Sequence, residues 1–288
     1  MTSPLHVRLD LSHARRVLFG GDVHGNVDAL LASLVRAGYD PDAGDVLILL
    51  GDLFDRGPDV LRLIEWLEAN PTVVVLRGNH DDMLCACVGA RPMTDEANPW
   101  VMFRNGGRWL LEFAPKYGNT DEDLGKLMTD LIEHAQDDHP GSPADLIDPR
   151  IVEFGHRLAS FPVAATITTP GGLTIGAVHA DPPGATWADV VDALNDPDLD
   201  MRAEAERHSM WERRLFKRTK RAAAFGDDAV RNLDIAIPDV DHVFLGHSIV
   251  ETPRTAANLT WIDTGAYHTD VHTVVDADAW VAALRVPA

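Results

Sequence analysis

The sequence predicts a mixed-sheet α/β domain with two sheet halves and helices outside. Three observations predict it. Through the first third of the chain, apolar runs of strand length alternate with amphipathic segments of helical period. The middle of the chain then turns helical, and the C-terminal part returns to strand-length runs.

Taken in order, Val17–Gly20 is an apolar strand, and Asn26–Ala37 carries Val27, Leu30, Leu31 and Leu34 at helical spacing. Val46–Leu50 reads as a second buried strand. Pro58 opens a helix through Ala69 with Leu61, Ile64 and Leu67 on one face, since proline suits a first helical turn. Thr72–Leu76 is a third strand, followed by a helix from about Asp81 to Val88. Strand, helix, strand, helix at this spacing implies parallel βαβ units. Between Pro99 and Ser160 helical segments are broken by Gly, Pro and acidic residues, as in Asp137-Asp138-His139-Pro140-Gly141-Ser142-Pro143. This is read as a helical insert (about 99–160) over the sheet edge, within one domain of residues 1–288. Val163–Thr168 and Leu173–Val178 are strands joined by the turn Pro170-Gly171-Gly172. A charged helical region covers roughly Asp200 to Phe225, and strands follow at Val243–Leu245, Leu259–Asp263, Val271–Asp276 and Trp280–Leu284.

With 288 residues, 45% of them hydrophobic, the chain can bury a full core. A formal charge of −20 argues against duplex DNA as a partner, which needs a basic face. It leaves room for a phosphorylated substrate, because metals and a few arginines make a local positive site. Cys85 and Cys87 are too few and too close for a disulfide framework and read as buried, inert thiols. Met1 to Leu11 holds no apolar stretch of signal-peptide length, and the longest apolar runs are too short to span a bilayer. The expectation is a cytoplasmic protein without membrane contact; oligomeric state is not legible.

Three stretches closing hydrophobic runs carry the chemistry: Gly21-Asp22-Val23-His24-Gly25-Asn26, Gly51-Asp52-Leu53-Phe54-Asp55-Arg56-Gly57 and Gly78-Asn79-His80-Asp81. Asp22 and His24 lie two apart, so at a strand end they point to one side and can clamp an ion. Asp52 has two oxygens and can bridge two cations. Asn79 offers an amide oxygen, and His179 and His247, in Val178-His179-Ala180-Asp181 and Leu245-Gly246-His247-Ser248, offer imidazoles that complete a second site. Ligands gather at the carboxyl ends of strands in open α/β sheets, which is where all of these fall. Two cations roughly 3.5–4 Å apart clamp both the attacking and departing oxygens of an in-line displacement at phosphorus. Each motif alone reads as a polar turn; the joint set in this order does not.

These motifs resemble those of the calcineurin-like metallophosphoesterases, and within them the phosphoprotein-phosphatase branch of lambda-type bacterial Ser/Thr protein phosphatases, marked by Gly-Asp-x-His-Gly, Gly-Asp-x-x-Asp-Arg-Gly and Gly-Asn-His-Glu. The likeness runs along nearly the whole chain. It includes Trp100 through Asn105-Gly106-Gly107, His179-Ala180-Asp181, Trp211-Glu212-Arg213, Gly246-His247-Ser248 and Ile262-Asp263-Thr264-Gly265-Ala266. It implies a central β-sandwich flanked by helices. It also implies a first metal on Asp22, His24 and Asp52, and a second on Asp52, Asn79, His179 and His247. By the same resemblance His80 is the general acid, Asp55 orients it, and Arg56 and Arg213 bind phosphate oxygens, with Arg214 the candidate if the register slips by one. Asp81 replaces the family's Glu, as in dinucleotide polyphosphate hydrolases, and Ser248 replaces Thr. The segment from about Ala114 to Arg150 is longer than in the compact phage enzyme.

Arg213, Arg214, Lys217, Arg218, Lys220 and Arg221 form a basic run. Its plain reading is a solvated helix face, and its sharper one an anionic-substrate rim. His6, His13, His134, His139, His156, His208, His242, His268 and His272 read as structural or surface residues, and Trp66, Trp109 and Trp280 as core. The expected activity is hydrolysis of phosphomonoesters, foremost on phosphoserine and phosphothreonine proteins but also on small phosphoesters, by attack of a metal-bridging hydroxide. The alternatives are a symmetrical dinucleotide polyphosphate (diadenosine tetraphosphate) hydrolase, a nucleotide or RNA-end phosphatase, and a phospho-ligand-binding pseudoenzyme. The mixed oxygen and nitrogen donors fit two divalent ions, Mn²⁺ first, with Fe or Zn²⁺ also compatible.

Overall fold

Two β-sheets face each other in a computed structural model that describes residues 4–135 and 141–285. In chain order the first elements are β1 (His6–Asp10), β2 (Arg16–Gly20), α1 (Val27–Ala37), β3 (Asp45–Leu49), α2 (Val60–Ala69), β4 (Val74–Val75) and α3 (Asn79–Cys87). The insert supplies α4 (Pro99–Arg104), α5 (Asp121–His134) and α6 (Pro149–Leu158). Next come β5 (Ala164–Thr168), β6 (Thr174–Val178), α7 (Trp187–Leu194), α8 (Leu199–Trp211), α9 (Arg214–Ala223) and α10 (Asp227–Arg231). The chain continues with β7 (His242–Leu245), β8 (Arg254–Ala256), β9 (Leu259–Trp261), α11 (Ala266–Thr269), β10 (Val274–Asp276) and α12 (Ala277–Leu284).

One sheet has the order β1-β5-β6-β7-β9-β8, the other β10-β2-β3-β4. Strands β2, β3 and β4 are parallel, the arrangement implied by the helices between them, and β6, β7 and β9 are parallel in the facing sheet. The sandwich interior is apolar on both sides. Val17, Phe19, Ile48 and Leu50 meet Ile167, Ile175, Ala177 and Phe244, and the Phe19 and Phe244 rings stack with centroids 4.6 Å apart. The insert packs through α4 and α6 onto α3, so Met102, Leu131, Ile151 and Phe154 join the same cluster as Leu30, Leu63 and Leu84. Cys85 and Cys87 are buried and unpaired within it. Among the described residues no helix is long and apolar enough to cross a membrane. Asp137–Pro140, read as a break in the insert, and His139 with it, lie outside the described residues, as do Met1–Ser3 of the N-terminal stretch.

Some elements differ from expectation. Trp280–Leu284 is helical, not a strand: Asp276 accepts from the Ala279 amide as an N-cap, and the Ala-rich run that follows suits a helix. Helix α2 begins at Val60, with Asp59 and not Pro58 at its entry. Helix α3 begins at Asn79, two residues early, which places Asn79 and His80 in its first turn. The sequence reading passes over strand β1, whose five residues alternate, and helix α7, which opens on a capping box of Thr186 and Asp189. Trp66 and Trp280 are only partly buried.

The buried histidines outside the strand-end loops give the fold a pH dependence. His6 Nε2 contacts Thr166 Oγ1 and His242 Nε2 contacts Thr260 Oγ1, each at 2.7 Å. Burial, then Arg8 and Arg285 respectively, pushes each imidazole from 6.5 down to about 4. Both are therefore neutral in the fold while the unfolded chain takes up protons below 6.5, so stability falls as pH drops from about 6.5 to about 4. Thermal melts are expected to show this decline, and a His6→Gln/His242→Gln variant a shallower one. An unchanged slope in that variant contradicts the assignment.

Candidate active site

Five strand ends deliver the candidate residues to one edge of the sandwich. The loop after β2 brings Asp22 and His24, the loop after β3 brings Asp52, Asp55 and Arg56, and β4 leads through Gly78 into Asn79 and His80. From the facing sheet β6 delivers His179 and β7 delivers His247. The loops are tied together by backbone bonds: Val23 N and His24 N both donate to Asp52 O, at 3.1 and 2.9 Å, and Gly246 N donates to His179 O at 2.9 Å. Gly78 is required where two loops cross, because a Cβ there would collide with the Asp52 carboxylate. Among the described residues eight non-glycine positions have positive φ, and five of them are His24, Asp52, Asp55, Arg56 and His247. Such strain concentrates where a fold must aim side chains at one point.

Two groups of donors share Asp52. His24, Asp52 and His80 form one, and Asp52, His179 and His247 the other, with ligand atoms within 4.8 Å of one another in each. Asp52 Oδ2 lies 3.7 Å from His24 Nε2 and 4.0 Å from His80 Nε2, while Oδ1 lies 3.3 Å from His179 Nε2. Asn79 Oδ1 is 3.2 Å from His179 Nε2. Asp22 stands beside them, with both oxygens 3.1 Å from the His247 amide.

The outer nitrogens fix which ring atom faces inward. His24 Nδ1 donates to Phe54 O at 2.8 Å and His179 Nδ1 to Leu50 O at 2.7 Å, so each presents an Nε2 lone pair to Asp52. His247 is reversed: Nε2 donates to Trp211 O at 3.2 Å, which leaves Nδ1 facing in. Imidazoles that hold metals are oriented by partners of this kind. The charge distribution also suits a cation. Burial, then Asp263 and Asp52, pushes the Asp22 carboxyl well up, the mark of carboxyl groups crowded together. Buried carboxylates crowded in this way, with inward lone pairs, fit divalent ions whose positive charge offsets their repulsion.

The remaining predicted residues line the same spot. Arg56 spreads its fork over two rings, with Nη1 3.0 Å from His24 Nε2 and Nη2 2.9 Å from His80 Nε2. Asp55 Oδ2 accepts from His80 Nδ1 at 2.7 Å. Arg213 donates from Nη2 to His247 O at 3.0 Å, while Arg214 turns away toward His208 and Glu212. The structure thus brings Arg213, and not Arg214, to the site. A buried ion network of Arg77 with Glu206 anchors α8, which leads into Arg213.

A model of the calcineurin-like phosphoesterase family matches residues 15–251, most of the chain. The chain belongs to that family. As a calcineurin-like phosphoesterase it is a metal-dependent phosphoester hydrolase, and the family implies the divalent ions that the two donor groups suit. It is 26% identical over 264 residues to serine/threonine-protein phosphatase 1 of Salmonella typhimurium, covering 91% of this chain and 92% of that one. A shorter stretch of 69 residues is 48% identical to a symmetrical bis(5'-nucleosyl)-tetraphosphatase of Yersinia pestis, 23% of each chain. Among solved structures, a serine/threonine phosphatase from Saccharomyces cerevisiae with similarity to human PP5 shares the fold, with a TM-score of 0.51 at 16% identity over 93% of this chain and 74% of that one.

Four residues of this calcineurin-like phosphoesterase have a place in the site that the sequence reading does not assign, although Asp81 and Asp263 lie in its motifs. Trp109 is buried, as its reading as core implies, but its indole Nε1 donates to Asp55 Oδ1 at 2.8 Å. A buried indole N–H needs an acceptor, and that demand was the available signal. Tyr267 lies with its ring 4.6 Å from the Arg56 guanidinium carbon and edge-on to His24 at 5.3 Å. Asp81 uses both oxygens to tie two loops, accepting from Leu53 N and Gly78 N at 2.9 Å each, a role that accounts for an acid at that position. Asp263 adds a buried carboxyl beside Asp22 and accepts from Gly265 N. The insert also reaches in: Gly106 O accepts from Arg56 N at 3.0 Å and Asn105 O from Arg56 Nε at 3.3 Å.

Proposed function

We propose that the protein is a phosphomonoester phosphatase acting on phosphoserine and phosphothreonine in proteins, and on small phosphoesters besides. The observation that carries the reading is the Asp55–His80 contact of 2.7 Å beside the Arg56 fork, next to two donor groups that share Asp52. The chain-length likeness to a bacterial serine/threonine-protein phosphatase supports it, whereas the likeness to the tetraphosphatase spans under a quarter of the chain.

Asp22, His24 and Asp52 would hold one ion and Asp52, Asn79, His179 and His247 a second, with Mn²⁺ the proposed occupant and Fe or Zn²⁺ compatible with the same donors. Bound ions supply positive charge to the phosphoryl group and make water a nucleophile near neutral pH. The protein residues do the rest. Arg56 and Arg213 bind phosphoryl oxygens through planar forks. Asp55 accepts from His80 Nδ1; with Arg56 turned onto the phosphoryl oxygens, His80 carrying a second proton on Nε2 would give it to the departing oxygen. His80 also sits within reach of Asp52 and belongs to a donor group, so its part as acid and not ligand rests on the resemblance to the family. A silent phosphate-binding module has no use for an acid so oriented. One domain of residues 1–288 in the cytoplasm, with the insert as part of it, belongs to the same reading.

The test compares p-nitrophenyl phosphate, a phosphothreonine peptide, a dinucleotide tetraphosphate and a 3′- or 2′,3′-phosphorylated nucleotide under Mn²⁺, with metal content measured alongside. The phosphopeptide is expected to give the highest kcat/KM among the biological substrates. A higher value for the dinucleotide or the nucleotide overturns the assignment.

A further inference from the structure

A groove of about 760 Å³ lies beside the candidate site, lined by sequence neighbours of His179 and Arg213 and by none of the site residues themselves. Its one wall starts at Asp181, two residues beyond His179, and the other at Arg214, next to Arg213. The Leu215 amide donates to Asp181 Oδ2 at 2.8 Å and fixes the two walls to each other. The floor is aliphatic, with Pro182, Ile235 and Ile237 buried.

The charge beside this groove is out of keeping with the rest of the protein. Six of the 25 Lys and Arg residues fall between Arg213 and Arg221, with no acidic residue among them, in a chain of net charge −20. Among the described residues no ion pair joins Lys217, Arg218, Lys220 or Arg221 to a carboxylate; Arg218 donates only to the Asp234 carbonyl, at 3.1 Å. Of the acidic groups on the groove, Asp181 is engaged by Leu215 and Asp234 lies exposed at the rim. Arg214 is paired with Glu212 at 3.4 Å, but the four cations that follow it have no carboxylate partner among the described residues and make this helix a surface for an anionic partner. No Phe, Tyr or Trp ring lines the groove, and its imidazole, His208, is met at Nδ1 by Arg214 Nη2 at 3.4 Å. A peptide backbone with aliphatic and acidic side chains does fit proline and isoleucine walls edged by arginine.

We propose that this groove is a substrate-selecting subsite that holds an acidic peptide segment flanking the phosphorylated residue. The inference rests on the protein-phosphatase reading and adds which phosphoproteins are chosen. Arg214 and Arg218 set the preference through KM, and the phosphoryl chemistry is left to the centre itself.

The experiment uses the full chain loaded with Mn²⁺ and two phosphothreonine peptides alike but for a flank of four glutamates or of Gly-Ser. Wild type is expected to favour the acidic peptide about tenfold in kcat/KM, the size that two partly solvated charge pairs supply. The preference is expected to lie in KM and to shrink with added salt. An Arg214→Glu/Arg218→Glu variant is expected to lose it while retaining turnover of p-nitrophenyl phosphate, which does not reach the groove. Equal kcat/KM for the two peptides in wild type, or an undiminished preference in the variant, overturns the proposal. Stronger competition by an RNA oligonucleotide or phosphatidylserine vesicles than by the unphosphorylated acidic peptide overturns it too. Should neither phosphopeptide be cleaved while p-nitrophenyl phosphate is, the substrate class fails. Binding of the unphosphorylated peptide by fluorescence anisotropy, lost in the variant, then judges the groove separately.

Discussion

His80→Ala is expected to lower the turnover of phenyl phosphate by roughly 10²–10⁴-fold, the contribution of a positioned general acid. The loss should depend on the leaving group. A phenolate that departs readily needs no proton, so 2,4-dinitrophenyl phosphate should lose far less. The structural basis is a chain of two contacts: Trp109 Nε1 holds Asp55 Oδ1 at 2.8 Å, and Asp55 Oδ2 holds His80 Nδ1 at 2.7 Å. Trp109→Phe keeps the ring and removes only the donor. It should shift the same leaving-group dependence in the same direction but by less, on the order of the 10–100-fold seen when an outer-shell partner is lost. A merely structural role for Trp109 would depress both esters equally. Equal losses on the two esters in His80→Ala would remove His80 from the role of acid.

Asp52→Asn should be the most damaging single change. Asp52 alone belongs to both donor groups, and its Oδ1 accepts from the His80 amide at 2.9 Å at the start of α3. The amide keeps the volume and removes the charge, so the fold should survive while metal retention and turnover fall by more than the roughly 10–100-fold of an outer-shell loss. Elemental analysis should find fewer ions per chain. Wild-type Tm should rise with added Mn²⁺, because an ion that binds only the folded state stabilises it, and the variant should show little of that rise. A variant that keeps two ions and normal turnover would show that Asp52 is no shared ligand.

Much of the site was legible because its residues are local: each motif closes an apolar run, and a strand end followed by a glycine-rich polar turn is readable without tertiary information. The parallel strands β2, β3 and β4 were legible for the same reason, their helices showing period 3.6 between runs of valine and leucine. Trp280–Leu284 was misread because five apolar residues satisfy either a strand or a buried helix, and the deciding Asp276 cap lies four residues upstream. The role of Trp109 was hidden because its acceptor is 54 positions away, a pairing created only when α4 and α6 dock on α3. Strand β1 was missed because its polar residues alternate with apolar ones at a sheet edge, leaving no continuous run.

The contacts that the insert makes with Arg56 and Asp55 divide it into two parts under different constraints. Asn105 and Gly106 bond to Arg56 and Trp109 to Asp55, whereas among the described residues from Pro115 to Arg150 none does so. A chimera that exchanges only that outer stretch for one from another enzyme should keep its chemistry and acquire new tastes in substrate. A transplant that starts six residues earlier also replaces Trp109 and should lose activity on the scale expected for Trp109→Phe.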